Sequence, residues 1–172
     1  MKRQRKKYEK PLKPWDKERI EEEKKLMKAF GLKNKSEIWK TETLLRKYRR
    51  MARELAAKKD KEKEKVLIDK LIKIGLLEKG ATLDDVLSLT LEKFLERRLQ
   101  TIVYKKNLAN SIKQARQLIT HGHVKIGDRK IFYPSYIVSK DEENLVNVTL
   151  VVGKKVEKEK AQKVEQVSEV RE

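Results

Sequence analysis

Residues 111–126 read SIKQARQLITHGHVKI, and two periods meet within them. Ser111-x-x-Gln114 is a capping box, a hydroxyl and an amide placed to satisfy free N–H groups at a helix start. Behind it Ile112, Ala115, Leu118 and Ile119 recur at helical spacing, which predicts a helix over 112–121 with Gly122 as its stop. Lys113, Arg116, Gln117 and Thr120 form the polar stripe beside that apolar face. The period then changes to two. His123 and Lys125 point one way, Val124 and Ile126 the other, the pattern of a half-buried strand. Gly127-Asp128 supplies a turn. A helix that hands over at once to an amphipathic strand predicts a small domain in which helices pack on a sheet.

Toward the C-terminus, Lys130 to Val138 is β-branched and aromatic. Pro134 cannot donate a ladder hydrogen bond, so it confines this run to an edge or splits it. Asp141–Asn144 reads as a polar turn, and Leu145–Val152, LVNVTLVV, as the last strand. Toward the N-terminus, Thr90 caps a helix expected over Leu91 to about Tyr104, with Leu91, Phe94, Leu95, Leu99 and Ile102 on one face. Thr82-x-x-Asp85 starts a short helix. Residues 66–79 have a helical period punctuated by Gly75 and Gly80, and the alternating charges of Lys59–Lys65 precede them as a solvated helical stretch or loop. Residues 36–60 read as a long polar helix capped by Ser36, with a thin stripe of Ile38, Leu44, Leu45, Tyr48, Ala52 and Leu55. Asp16 opens a helix that Gly31 stops, and residues 1–15, with Pro11 and Pro14, form an extended arm. The expected fold is α+β: a helical N-terminal domain, then a small domain of two helices on a short, mostly antiparallel sheet. The divisions are an arm and short helix (1–35), a helical domain (36–89), a small domain (90–152) and a charged tail (153–172).

Of the 172 residues, 45 are lysine or arginine and 27 aspartate or glutamate, a net charge of +18. There is no cysteine, which removes disulfides, thiolate metal sites and cysteine nucleophiles. The two histidines, His121 and His123, have no third ligand near them, so no metal or other cofactor is expected. No apolar run approaches the roughly 18 residues of a membrane span, and the basic N-terminus lacks the apolar region of a secretory signal. Leu, Ile, Val and Phe are concentrated in residues 66–152, which hold 34 of the 47, yet residues 101–140 carry eight basic residues against Asp128 alone. A segment that is both core-forming and strongly basic describes a folded nucleic-acid-binding module better than a disordered basic tail.

Phosphate recognition needs cations spaced along a backbone and donors at helix starts. In the small domain the candidates are Arg97, Arg98, Lys105, Lys106, Ser111, Lys113, Gln114, Arg116, Gln117, His121, Lys125, Arg129 and Lys130. Arg46, Lys47, Arg49, Arg50 and Arg53 join them from the long helix, and Arg3, Arg5, Lys6 and Lys7 from the arm. Arg98 lies between Leu95 and Ile102 on the apolar face, so two readings stand side by side: its head pairs with an acid, or it contacts phosphate. Trp15, Trp39, Tyr48, Tyr104, Tyr133 and Tyr136 are expected to pack rather than to stack on bases.

The run LERRLQTIVYKKNLANSIKQARQLITHGHVKIGDRKIFYPSYIVS, within residues 91–139, resembles the S-four RNA-binding domain. Its specific pieces are Arg98-Leu99, Ser111, the run Gln114 to Ile119, Gly122-x-Val124-x-Ile126 and Pro134-Ser135-Tyr136-x-Val138. The segments GLKNKSEIWKTE, RKYRRMAREL and LIKIGLL are similar to the archaeal and eukaryotic form of the ribosomal protein S-four family. The resemblance departs at Gln100, where many S-four domains carry an acid, and at Gly127-Asp128, where many carry Asn-Gly. It implies no enzyme but a cytoplasmic, ribosome-bound constituent of the small subunit. Its partners would be small-subunit rRNA at a junction in the 5′ region, neighbouring small-subunit proteins, and mRNA where it enters the subunit. It further implies a part in early assembly and in decoding accuracy. The alternatives are a free-standing RNA-binding factor with one such domain, or the docking subunit of an RNA-modifying enzyme.

Overall fold

A computed structural model describes residues 6–149. The helices are α1 (Lys17–Ala29), α2 (Lys35–Lys58), α3 (Lys61–Ile74), α4 (Leu83–Ser88), α5 (Leu91–Glu96), α6 (Leu99–Lys105), α7 (Ile112–Thr120) and α8 (Lys140–Glu143). The strands are β1 (Val124–Ile126), β2 (Arg129–Lys130) and β3 (Val146–Val148), ordered β2-β1-β3 and antiparallel. Arm residues 1–5 and the charged tail expected over 153–172 lie outside the described residues, as does the end of the strand expected to reach Val152.

Two large apolar cores, and a small cluster of Leu32, Ile38 and Leu95, divide the described residues. One joins Leu45, Tyr48 and Ala52 of α2 with Leu67 and Leu71 of α3, Val86, Leu89 and Phe94. Phe94 stacks on Tyr48 with ring centroids 5.9 Å apart. Deleting a buried ring of this kind costs about 3–5 kcal/mol. The other core joins Leu99, Ile102 and Val103 of α6 with Ala115, Leu118 and Ile119 of α7, Val124, Ile126, Val138 and Val146. It is the helices-on-sheet unit that the two periods of residues 111–126 predict, and the inward face of β1 alternates as expected. The change from one core to the other falls at Arg97–Arg98, because Phe94 and Leu95 of α5 still pack with the N-terminal helices.

The single helix expected over 91–104 is therefore two. Arg98 is extended, with φ −74° and ψ 142°, and bridges Ile137. Leu99 N donates to the Tyr136 carbonyl at 2.8 Å and Val138 N to the Arg97 carbonyl at 3.0 Å. The segment after Pro134 supplies those groups, so the run 130–138 is split, with only Lys130 of it left in the sheet, as the end of β2. Leu95, Leu99 and Ile102 keep helical spacing across the break, which hides it from the period. Two smaller corrections have local causes, and of the two readings of Lys59–Lys65 the helical one holds. The N-cap of the long helix is Asn34, and Ser36 lies inside the first turn. α3 begins already at Lys61, after the left-handed Lys59. Asp141–Glu143 are not a turn but the last three residues of α8, with Asn144 as its C-cap, and the helix is opened by a capping box in which Ser139 N donates to the Glu142 carboxylate at 3.2 Å.

Gly31 explains how the two halves fit. Its φ is +58°, and a Cβ there would lie 2.3 Å from Ile112 Cγ2 and 2.8 Å from Gln100 Nε2. Only glycine lets the turn after α1 pass this close to the start of α7.

Candidate nucleic-acid interface

The predicted cations separate into two sets once their partners are seen. The first lies in the seam between the cores. Glu37, from the first turn of α2, sits between Arg98 and Arg116. Arg98 Nη2 donates to its Oε2, and Arg116 Nη2 to its Oε1 at 2.8 Å. Burial pushes the Glu37 carboxyl up, but the Arg116 hydrogen bond and the Arg98 charge outweigh it and hold it below its ordinary value. Arg116 Nη1 also donates to Gln100 Oε1 at 3.3 Å, and Gln100 Nε2 donates to the Gly31 and Ile112 carbonyls at 3.0 and 3.1 Å. An amide suits this place, because it accepts from arginine and donates to two carbonyls, which a carboxylate could not do. Arg98 is thus buried and paired with an acid, as the first of its two readings has it.

Arg97 belongs to the same set. Its Nη1 donates to Glu143 Oε2 at 2.7 Å and its Nη2 to the Val138 carbonyl at 3.1 Å. Lys106 Nζ donates to the Glu143 carbonyl, and Lys105 lies 3.1 Å from Glu96. Arg49 Nη2 donates to the Leu89 carbonyl at 2.6 Å and so ties α2 to the end of α4. Ser111 accepts from Gln114 N at 3.2 Å, while the Gln114 amide oxygen accepts from Asn110 N, one residue before the cap, at 2.8 Å.

The second set has almost no acid against it among the described residues. Lys113 and Gln117 are exposed on α7. Gln114, Gln117, His121 and His123 line one hollow, and the two imidazoles lie face to face at 6.4 Å. From His123 the outward side of β1 continues to Lys125, which stands opposite Lys130 on β2 and Asn147 on β3. Two lysines facing each other across a strand pair repel, so the sheet carries a local cost that an anion would reverse. Arg129 is mostly exposed, and its one acid, Glu142, stands off at 3.5 Å. Burial pushes the Glu142 carboxyl up, and the Ser139 hydrogen bonds outweigh it to hold it below the ordinary range.

On α2, Lys47 and Arg53 are exposed with no ion pair among the described residues, while Arg46 reaches Glu42 at 2.5 Å and Arg50 reaches Glu54 at 2.7 Å. Lys6 and Lys7 are described and Arg3 and Arg5 are not; Tyr8 packs on Trp39 at 5.8 Å and holds the arm against α2. A cleft of about 390 Å³ opens between α2 and residues 134–137, with Lys40, Thr41 and Ser135 on its walls beside Arg98 and Arg116. Lys40 is not among the residues singled out by sequence; it stands three after Glu37 on the same helix face, and no local signal marks it before the role of Glu37 is known. Among the described residues there is no cluster of metal ligands, and no helix is long and apolar enough to cross a membrane.

Two family models divide the chain as the cores do. "Ribosomal protein S4/S9 N-terminal domain" matches residues 1–96, and "S4 domain" matches residues 97–144. The chain is similar to the small ribosomal subunit protein uS4 of Saccharolobus solfataricus, 54% identical over 150 residues that span 85% of this chain and 83% of the relative. It is similar to uS4 of Ignicoccus hospitalis, 56% identical over 146 residues, or 83% of this chain and 87% of the relative. The likeness to uS4 of Korarchaeum cryptofilum runs further, 49% over 161 residues, or 92% of this chain and 97% of the relative.

Proposed function

This chain belongs to the ribosomal protein S4 family, and on that premise we propose that it is a structural, non-enzymatic constituent of the small ribosomal subunit that binds small-subunit rRNA directly. The observation that carries the reading is the second set of cations: Lys113 on α7, and Lys125 and Lys130 facing each other across β1 and β2, have no acid against them among the described residues and lie in the segment matched by the S4 domain. Phosphates supply the missing counter-charge. A-form RNA is recognised by shape and phosphate spacing, which exposed cations on α7 and on β1–β2 can meet.

The finer reading follows the family. The site is a junction in the 5′ region of the rRNA, bound early in subunit assembly in the cytoplasm. Neighbouring small-subunit proteins flank it, and mRNA passes nearby on its way into the subunit, where the protein contributes to decoding accuracy. The arm, with Arg3, Arg5, Lys6 and Lys7, and the α2 cations Lys47 and Arg53 extend the RNA surface beyond the small domain.

Sedimentation of the tagged protein tests this first. It should travel with small subunits and with mature ribosomes. A free-standing RNA-binding factor would appear in the soluble pool, and the docking subunit of a modifying enzyme would appear with its enzyme. Binding to the transcribed 5′ part of small-subunit rRNA should weaken steeply with salt, with a log–log slope of about −0.7 to −0.9 for each phosphate neutralised. Affinity unchanged between roughly 50 and 200 mM salt would remove the electrostatic basis of the reading.

A further inference from the structure

Trp15 does not pack, contrary to what its sequence suggests: it is 87% exposed, just ahead of α1. Tyr8, the other ring of the arm, is used inside the molecule against Trp39, whereas Trp15 has no ring contact among the described residues. Yet the turn that carries Trp15 is built. Arg19 Nη2 donates to the Lys13 carbonyl at 2.6 Å, and Arg19 Nε lies 3.6 Å from the Glu23 carboxylate. Glu23 is itself buried, accepting from Trp39 Nε1 at 2.9 Å and pairing with Lys35 at 2.9 Å. An indole is thus held out in water on a turn anchored to a buried ion cluster.

We propose that Trp15 is a stacking platform for an unpaired base of the small-subunit rRNA. This rests on the rRNA-binding reading above and names an interaction within it. A rigid aromatic plane with only two rotatable bonds pays little to be ordered, and every base offers a π-face to it. Charge decides between RNA and a protein neighbour as the occupant. Residues 1–17 hold eight basic residues and two acidic ones, and Lys10, Lys13 and Lys17, within five residues of Trp15 in sequence, are exposed. Such a field gathers phosphates beside the ring and opposes the basic surfaces of other RNA-binding proteins. Single-stranded RNA presents the two elements together, a phosphate run and a splayed base.

The test compares three variants, Trp15→Phe, Trp15→Leu and Trp15→Ala, in binding to the transcribed 5′ part of small-subunit rRNA, with thermal melting alongside. Trp15→Phe keeps a ring and should bind within about threefold of wild type. Trp15→Leu keeps apolar area without a plane and should lose roughly tenfold or more, as should Trp15→Ala. Melting temperatures should not move, because the side chain is in water. The proposal is overturned if all three bind like wild type, or if Trp15→Leu does while Trp15→Ala does not, which is apolar docking without stacking. It is equally overturned if the variants bind naked rRNA normally and fail only to enter subunits, which assigns the indole to a protein neighbour. Failure of the wild type to bind the rRNA would remove the reading beneath the proposal as well, and so is separable from failure of the three variants alone.

Discussion

The seam at Glu37 and the outer face of the sheet are both rich in cations, and they use them in opposite ways. In the seam, Arg98 and Arg116 share one carboxylate, and their attraction is spent inside the protein. On the sheet, Lys125 and Lys130 face each other, and no acid among the described residues answers them. A buried arginine left without its acid is costly, so the seam reports on folding. An exposed lysine has little to lose in the free protein, so the sheet reports on binding. A basic residue on an RNA-binding protein is therefore a candidate for phosphate only after its internal partners are known.

The sharpest break of that contrast is Glu37→Gln. The amide keeps the shape but removes the charge between two arginines, one of them almost fully buried. Stability should fall by about 3 kcal/mol or more, read from urea unfolding at neutral pH. The pH dependence identifies the cause. The Glu37 carboxyl is held below its ordinary value of 4.5 in the folded protein, so its contribution is complete above that pH and is lost as pH falls through the folded value. The gap between wild type and Glu37→Gln should accordingly be constant down to about pH 4.5 and close below it. A gap that persists into acid would mean that Glu37 acts through packing, not through charge.

Arg116→Ala comes next. From sequence Arg116 lies on the polar stripe of α7, among residues expected to meet phosphate. The structure puts its guanidinium on Glu37 and Gln100. Arg98 still answers Glu37 in the variant, so the loss should be smaller, about 1–3 kcal/mol. Its thermal midpoint should drop well below that of Lys113→Ala, three residues earlier on the same helix and exposed. Equal midpoints would return Arg116 to the binding surface.

What could be read from the sequence divides by distance along the chain. The α7–β1 handover, the turn at Gly127-Asp128 and the stop at Gly31 are local, and period and turn chemistry find them. The capping box at Ser139-x-x-Glu142 is equally local, but the polar run around it reads as a turn and masks it. The break at Arg98 is not legible, since it is made by backbone pairing with residues 136–138. The roles of the arginines are hidden for the same reason. Glu37 is 61 residues from Arg98 and 79 from Arg116, and no spacing rule joins them. The unpaired face is legible because a shortage of acids is visible locally: Asp128 is the sole acid in residues 101–140.

The smallest effect on folding, and the one that most sharpens the contrast, belongs to Lys125→Ala and Lys130→Ala. Each removes one member of a like-charged cross-strand pair. Stability should stay level or rise by about 0.2–1 kcal/mol, as repulsion is relieved. Alanine is a poor strand former and gives some of that back at Lys125, the central-strand position, so Lys130→Ala should show the gain more clearly. RNA binding should weaken in both, and the log–log salt slope should become shallower by about 0.7–0.9 for the one phosphate no longer neutralised. The double variant separates the outcomes. If each lysine meets its own phosphate, the slope changes add. If the two share one phosphate, the second substitution moves the slope little although affinity still falls. If neither variant alters the slope while Lys113→Ala does, the RNA tracks α7 and leaves the sheet, and the cross-strand repulsion has a different counter-ion.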